Sequence, residues 1–284
     1  DLKYKAESNS DNITQGALVL FLFLLFPSFA YAGLVTSVSS SLGLTNGLVG
    51  YWSFDNTKIY GANAYDSSNS FATGTVSGAA KVAGKLGQGL SFNGSSDYVS
   101  TVTNQASLDF GVNQDFTIAT WVKTTQPSEA GFWAPFVSKE DQIATRQGYA
   151  LLLHDNDASG KWYIETFVAG AWDGAYGRSN IADGRWHYLV AGRSGSNLFT
   201  YEDGVLGEQI PASTGSLQKD APLKIGGGFG NDFNGSIDDV RIYNRALSAA
   251  EISDLYQSGA ATIKAPTRTG LVGSGNLMKV AERK

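Results

Sequence analysis

The residues of this chain that could do chemistry fall into three groups: adjacent acidic side chains, two histidines, and tryptophans set among polar residues. Asp155-Asn156-Asp157-Ala158-Ser159-Gly160 carries the side chains of the first half of an EF-hand calcium loop. Such a loop ends on a bidentate glutamate and enters a helix, whereas here the matching position is Thr166 and strand-forming residues follow. The segment therefore reads as a polar hairpin turn. Asp238-Asp239 interrupts an apolar strand segment and needs partners; a cation is one, and Arg241 is another. Glu140-Asp141 and Glu202-Asp203 are adjacent pairs, whose members point to opposite faces of a strand, so neither pair can flank one bond. His154 and His187 have no metal-ligand spacing, and His187 lies inside a strand segment, as a structural residue would. With no cysteine there is no thiol nucleophile, thiolate metal site or disulfide.

Aromatic side chains are the other resource. Sugars are held by aromatic faces combined with a few polar groups in a shallow cleft. Trp52, Trp121 and Trp186 sit in strand segments and read as core. Trp133, Trp162 and Trp172 are more informative: Trp133 precedes the Phe136 strand in a loop, and Trp172 lies in a glycine-rich segment with Asp173, Tyr176 and Arg178. Trp133, Trp172, Asp173, Tyr176 and Arg178 are the ligand-binding candidates. Covering the edge of the core is the alternative role for these tryptophans.

The elements that must position these residues are β-strands. The chain has 34 glycines, 12% aromatic and only 17% charged residues, a profile of short strands and many turns. Its net charge of −5 argues against a nucleic-acid partner. Phe116 to Lys123 is apolar on both faces, as a central strand between layers would be. Phe136 to Lys139, Tyr149 to His154, Lys161 to Val168 and Trp186 to Ala191 read as further strands. Leu198 to Glu202 precedes an Asp203-Gly204 hairpin turn, and Leu223 to Gly228 follows. Short strands with such regular turns predict an all-β sandwich. The stretch from Phe233 to Tyr256 closes it: a strand over Ile237 to Tyr243, a turn at Asn244-Arg245, then a helix from Ala249 to about Tyr256. Ser248 and Glu251 form a capping box, Leu247 and Ile252 a hydrophobic staple, and Gly259 a natural stop.

FNGSIDDVRIYNRALSAAEI, from Phe233, closely resembles the closing strand and helix of laminin G-like domains in the concanavalin A-like lectin/glucanase superfamily. Gly47 to Asp55 is similar to the opening strand of those domains, and Asp66-Ser67-Ser68-Asn69 to their D-x-S-G-N segment. Gly87 to Gly94 with Asp97-Tyr98-Val99, and Trp186 to Ala191 (WHYLVA), resemble further signatures, so the resemblance spans residues 47–258. It implies a two-sheet antiparallel jelly roll whose last strand pairs near the first. It also implies a structural calcium ion joining an early loop to the closing strand, with Asp66, Asn69, Asp238 and Asp239 at the matching positions. Glucanases of this superfamily place their carboxylates as E-x-D-x-x-E or E-x-D-x-E on one strand, a spacing absent here, so no catalytic residue is assigned and the chain is not expected to be an enzyme.

Ahead of the domain, Ala17 to Phe26 is an apolar helix-length run, followed by Ala30-Tyr31-Ala32. Residues 1–32 read as a signal peptide cleaved after Ala32, with Lys3 and Lys5 as its positive end; extended through Val35, the run is long enough for a membrane anchor. Residues 33–46 are a linker, and residues 259–284 a tail in which Gly270-Leu271-Val272-Gly273 repeats Gly47 to Gly50, as the start of a truncated second copy would. The expected protein is a secreted or cell-surface, non-catalytic module that binds a glycan or a cell-surface protein and touches a membrane only through an uncleaved N-terminal segment. The alternatives are an adhesive structural repeat with no small ligand and, last, a glycoside hydrolase.

Overall fold

The computed structural model describes residues 44–127, 133–140, 146–153, 160–228 and 232–260. The apolar N-terminal run, His154, most of the Asp155 to Gly160 turn and most of the C-terminal tail lie outside the described residues, as do the expectations placed on them. Among the described residues no helix is long and apolar enough to cross a membrane.

The central strands are buried along almost their whole length, as strands covered on both faces are. The first seven strands of the chain are β1 (Leu48–Trp52), β2 (Ile59–Tyr60), β3 (Asn63–Ala64), β4 (Gly74–Ser77), β5 (Ala80–Ala83), β6 (Gln88–Asn93) and β7 (Tyr98–Ser100). The middle of the chain supplies β8 (Phe116–Lys123), β9 (Ala134–Glu140), β10 (Gly148–Leu153), β11 (Lys161–Val168) and β12 (Ala171–Asn180). Then come β13 (Trp186–Ser194), β14 (Asn197–Glu202), β15 (Val205–Pro211), β16 (Lys224–Ile225), β17 (Asn234–Tyr243) and the helix α1 (Ala249–Ala260). They form two antiparallel sheets. One runs β15-β14-β13-β8-β17-β6-β5, with β1 also paired to β17; the other runs β12-β11-β10-β9-β16-β7-β4-β3-β2.

The main core lies between them. Phe116, Ile118 and Val122 of β8 enter it beside Trp52, Phe92, Phe136 and Trp162. The other face of β8 carries Ala119 and Trp121 into a second apolar layer, which α1 closes with Ile252 and Leu255. That is why β8 is apolar on both faces: it is covered on both. Burial of one such large side chain stabilises the fold by about 1.5–3 kcal/mol.

The closing stretch forms as its local chemistry dictates. Ser248 Oγ accepts from the Glu251 backbone N–H at 3.3 Å, the Glu251 carboxylate accepts from the Ser248 N–H at 2.8 Å, and α1 starts at Ala249. Leu247 and Ile252 are buried in the same apolar layer. One expectation needs correcting: Gly259 does not stop the helix, which runs to Ala260. A Cβ at Gly259 would sit 2.5 Å from the Trp121 ring, so the glycine lets the helix lie against that indole.

The first and last strands pair as expected, with Tyr51 opposite Arg241 and Trp52 opposite Val240. Facing β8, β17 carries a bulge between Asp238 and Arg241, with Asp239 at a φ of 54°. The extra residue resets the alternation, so Ile237, Val240 and Ile242 all reach the main core while Asp238, Asp239 and Arg241 do not.

Candidate functional site

The β9-to-β12 end of the second sheet has a face turned away from the main core. In β11, Trp162 and Ile164 enter the core, so Tyr163, Glu165 and Phe167 project outward. Register places Tyr176 of β12 beside Tyr163, and Trp172 beside Phe167. Ala150 and Leu152 of β10 complete this face, with Trp133 and Tyr176 packed on them and Tyr163. Trp172, Tyr176, Tyr163 and Trp133 surround a cavity of about 250 Å³, whose wall is completed by Arg146, Glu165 and Phe167.

The glycine-rich stretch around Trp172 is a strand and not the loop that its composition suggests. A Cβ at Gly174 would lie 2.4 Å from the Trp172 ring, and one at Gly177 would lie 2.1 Å from the Trp162 ring. These glycines make room for indoles and do not bend the chain. Trp172 is left 48% exposed, a large aromatic face open at the mouth of the cavity.

Polar groups hold the cavity's aromatic walls in place. The Arg146 guanidinium lies over the Phe167 ring at 3.8 Å and near that of Trp133 at 5.5 Å. It pairs with Glu140 and, at 3.2 Å, with Glu165. The other Glu165 oxygen accepts from the Tyr163 hydroxyl at 3.0 Å and the Trp172 indole N–H at 3.3 Å. Burial pushes the Glu165 carboxyl up from its ordinary value, against the pull of Arg146. Burial and the neighbouring Glu165 raise Tyr163, so its hydroxyl stays protonated and can donate.

Of the residues expected at a ligand site, Trp133, Trp172 and Tyr176 meet at this cavity. Asp173 and Arg178 do not line it. The Asp173 carboxylate accepts from the Ser213 N–H at 2.7 Å and hydroxyl at 3.1 Å, tying β12 to the chain beyond β15. Arg178 donates to the Leu206 carbonyl at 3.2 Å from an exposed position. Trp162, also singled out in the sequence, is core: it is fully buried and its N–H donates to Glu202 at 2.7 Å. Sequence reasoning missed Arg146, Tyr163, Glu165 and Phe167. The available signal was the outward Tyr-x-Glu-x-Phe row alternating with the core residues of β11. Nothing in the sequence marks Arg146.

The residues matched to a calcium site are placed differently from a shared donor set. Asp66 uses both oxygens on its own neighbourhood, accepting from the backbone N–H groups of Tyr51, Ser68 and Ala72 and from the Ser68 hydroxyl. Asn69 is exposed. Asp239 pairs through both oxygens with Arg241, at 3.1 and 3.2 Å. Asp238 is fully buried, with one oxygen accepting from the Leu86 N–H at 2.8 Å and the other unpartnered. Among the described residues no three His, Asp or Glu side chains gather closely enough to hold a metal ion. Of these four, Asp66 and Asp239 are held by protein donors, and Asp238 keeps one oxygen without a partner.

Two packed antiparallel sheets, a covering C-terminal helix and an aromatic cavity away from the core invite comparison with known proteins. A family profile described as the concanavalin A-like lectin/glucanases superfamily matches residues 93–253. The chain belongs to this superfamily. No curated protein sequence matches it. Among solved structures of this lectin-like fold, it is similar to the binding domain of Paraclostridial Mosquitocidal Protein 1, with a TM-score of 0.62 and 18% identity over 76% of this chain. The chain spans about half of that structure, 53% of its length. It is also similar to domain 4 of AbnA, a GH43 extracellular arabinanase from Geobacillus stearothermophilus solved with arabinotriose. That TM-score is 0.57 with 22% identity, covering 74% of this chain and 98% of the arabinanase domain. A third is the Trypanosoma rangeli sialidase solved with sialic acid, at a TM-score of 0.55 and 20% identity, covering 75% of this chain but 33% of the sialidase.

Proposed function

We propose that this chain is a non-catalytic carbohydrate-binding module that receives a sugar at the cavity walled by Trp133, Trp172 and Tyr176. The observation that carries this reading is the open Trp172 face, held in orientation by its N–H bond to Glu165 at the mouth of a cavity large enough for a sugar ring. An apolar sugar face would stack on the indole, and the rim would supply hydrogen-bonding groups for its hydroxyls. The toxin domain, named a binding domain, and the arabinanase domain, solved with arabinotriose, share the fold and support this reading. Glu140 and Glu165 argue against hydrolysis. Both are committed to one guanidinium, and their side chains are 0% and 4% exposed, whereas a glycosidase keeps two carboxyl groups on either side of the bond it cleaves. Displayed outside the cytosol behind a signal peptide or anchor, such a module would tether its chain to a glycan-bearing surface.

A glycan array probed with residues 33–284 tests this, followed by calorimetry on any sugar retained. Trp172→Ala should weaken binding about tenfold or more, which is about 1.4 kcal/mol, while leaving the melting temperature near that of the wild type because the ring is half exposed. A blank array would favour an adhesive repeat with no small ligand.

A further inference from the structure

The charges of the aromatic cavity say which sugars it takes, an inference that rests on the sugar-binding reading above. Among the described residues lining the cavity, Arg146 is the only cation and Glu165 the only carboxylate. Arg146 also pairs with Glu140, whose side chain is fully buried behind it. One positive charge is thus set against two negative ones. The guanidinium is flanked by the Phe167 and Trp133 rings and donates to two carboxylates, so it is committed within the protein. A ligand carboxylate or sulfate entering here would give up water, compete with Glu140 and Glu165 for the same cation, and face their charge at close range.

We propose that this site selects neutral sugars and excludes those bearing a carboxylate or sulfate, with Glu165 as the specificity-determining residue. Glu165 acts twice. It supplies the charge that opposes an anion, and its second oxygen fixes the Trp172 indole on which a neutral ring would stack. The sialic acid held by the Trypanosoma rangeli sialidase is the kind of ligand that this cavity would refuse.

The test uses matched glycans that differ only in the charge of a carboxylate: polygalacturonate against its methyl ester, and glucuronate-substituted xylan against its carboxyl-reduced form. Wild type, Trp172→Ala and Glu165→Gln are compared on each pair. Wild type should bind the neutral member about tenfold or more tighter, and added salt should narrow that gap by screening the repulsion. Glu165→Gln keeps one acceptor oxygen for the indole and the Tyr163 hydroxyl while removing the charge and the bond that holds Arg146, so it should raise binding of the acidic member relative to the neutral one. Binding of an acidic member by wild type as tight as its neutral match, and lost in Trp172→Ala, would overturn the selectivity while leaving the sugar site standing. So would a folded Glu165→Gln whose acidic-to-neutral ratio is unchanged. A blank array, or binding indifferent to Trp172→Ala, would remove the sugar site and this inference with it. Should Glu165→Gln fail to fold, the wild-type ratio and its salt dependence still decide the matter.

Discussion

Replacing Asp238 with asparagine should stabilise this protein above neutral pH, although the substitution removes a buried charge next to a backbone donor. Asp238 is fully buried on β17, with one oxygen accepting from Leu86 and the other unpartnered. Burial pushes its carboxyl up from 3.8 to about 7; the Leu86 N–H opposes the shift and the neighbouring Asp239 charge adds to it. Because the folded value lies above the unfolded one, folding takes up a proton between about pH 4 and pH 7. Stability therefore falls as pH rises through that window and stays lowered above it. A shift of about three units at 1.36 kcal/mol each makes the full penalty on the order of 4 kcal/mol. Asp238→Asn keeps an acceptor for Leu86 and cannot ionise. At pH 8 it should be more stable than wild type by about 2–4 kcal/mol, or several degrees in melting temperature, and at pH 4.5 the two should nearly coincide. Urea melts of both proteins at pH 4.5, 6 and 8 measure this difference. An asparagine variant less stable than wild type at pH 8 would refute the reasoning, because the free oxygen would then have to be holding a favourable partner when charged.

Two further predictions concern another buried acid and the strand histidine. Asp66→Ala strips the acceptor from three backbone N–H groups and a hydroxyl, and should cost about 3 kcal/mol or more in a urea melt. If that carboxylate organises its loop without a cation, the loss will be the same in calcium and in EDTA; a loss confined to calcium buffer would restore the ion. His187 is raised above 6.5 by its bond to Asp203 at 2.9 Å, against the effect of its burial, with Asp183 adding to the rise. Its contribution is fully present below pH 6.5 and disappears as pH climbs through the raised value, so the stability gap between wild type and His187→Asn should shrink from pH 6 to pH 9. A gap that widens with pH would contradict the pairing.

Most of the fold was legible because its signals are local. The capping box, the staple and the Asp203-Gly204 turn each act within a few residues, and each forms as read. What stayed hidden in the sequence includes the role of certain glycines. Gly259 and Gly177 look like punctuation in a linear sequence, yet each is small because an indole from another element lies on it. That information belongs to packing and has no sequence-local trace. The site divides in the same way. Trp133, Trp172 and Tyr176 could be picked out by residue type and setting, whereas Arg146 and Glu165 matter through an ion pair between separate segments.

The early loop and the closing strand are also linked through protein groups alone. The resemblance implied that calcium would join Asp66 to Asp239. In the structure the Asp66 loop is fastened to the opening strand through the Tyr51 N–H at 2.8 Å. That same tyrosine then reaches the closing strand: it pairs in register with Arg241, whose guanidinium lies 4.2 Å from the Tyr51 ring and 3.2 Å from its hydroxyl, and Asp239 holds Arg241 in turn. Loop, first strand and last strand are thus connected in series through Tyr51 and Arg241. The bulge at Asp239 is part of the same arrangement. By shifting the alternation it keeps both aspartates and Arg241 out of the main core, so the strand at the centre of the sheet can carry charge without burying it between the sheets.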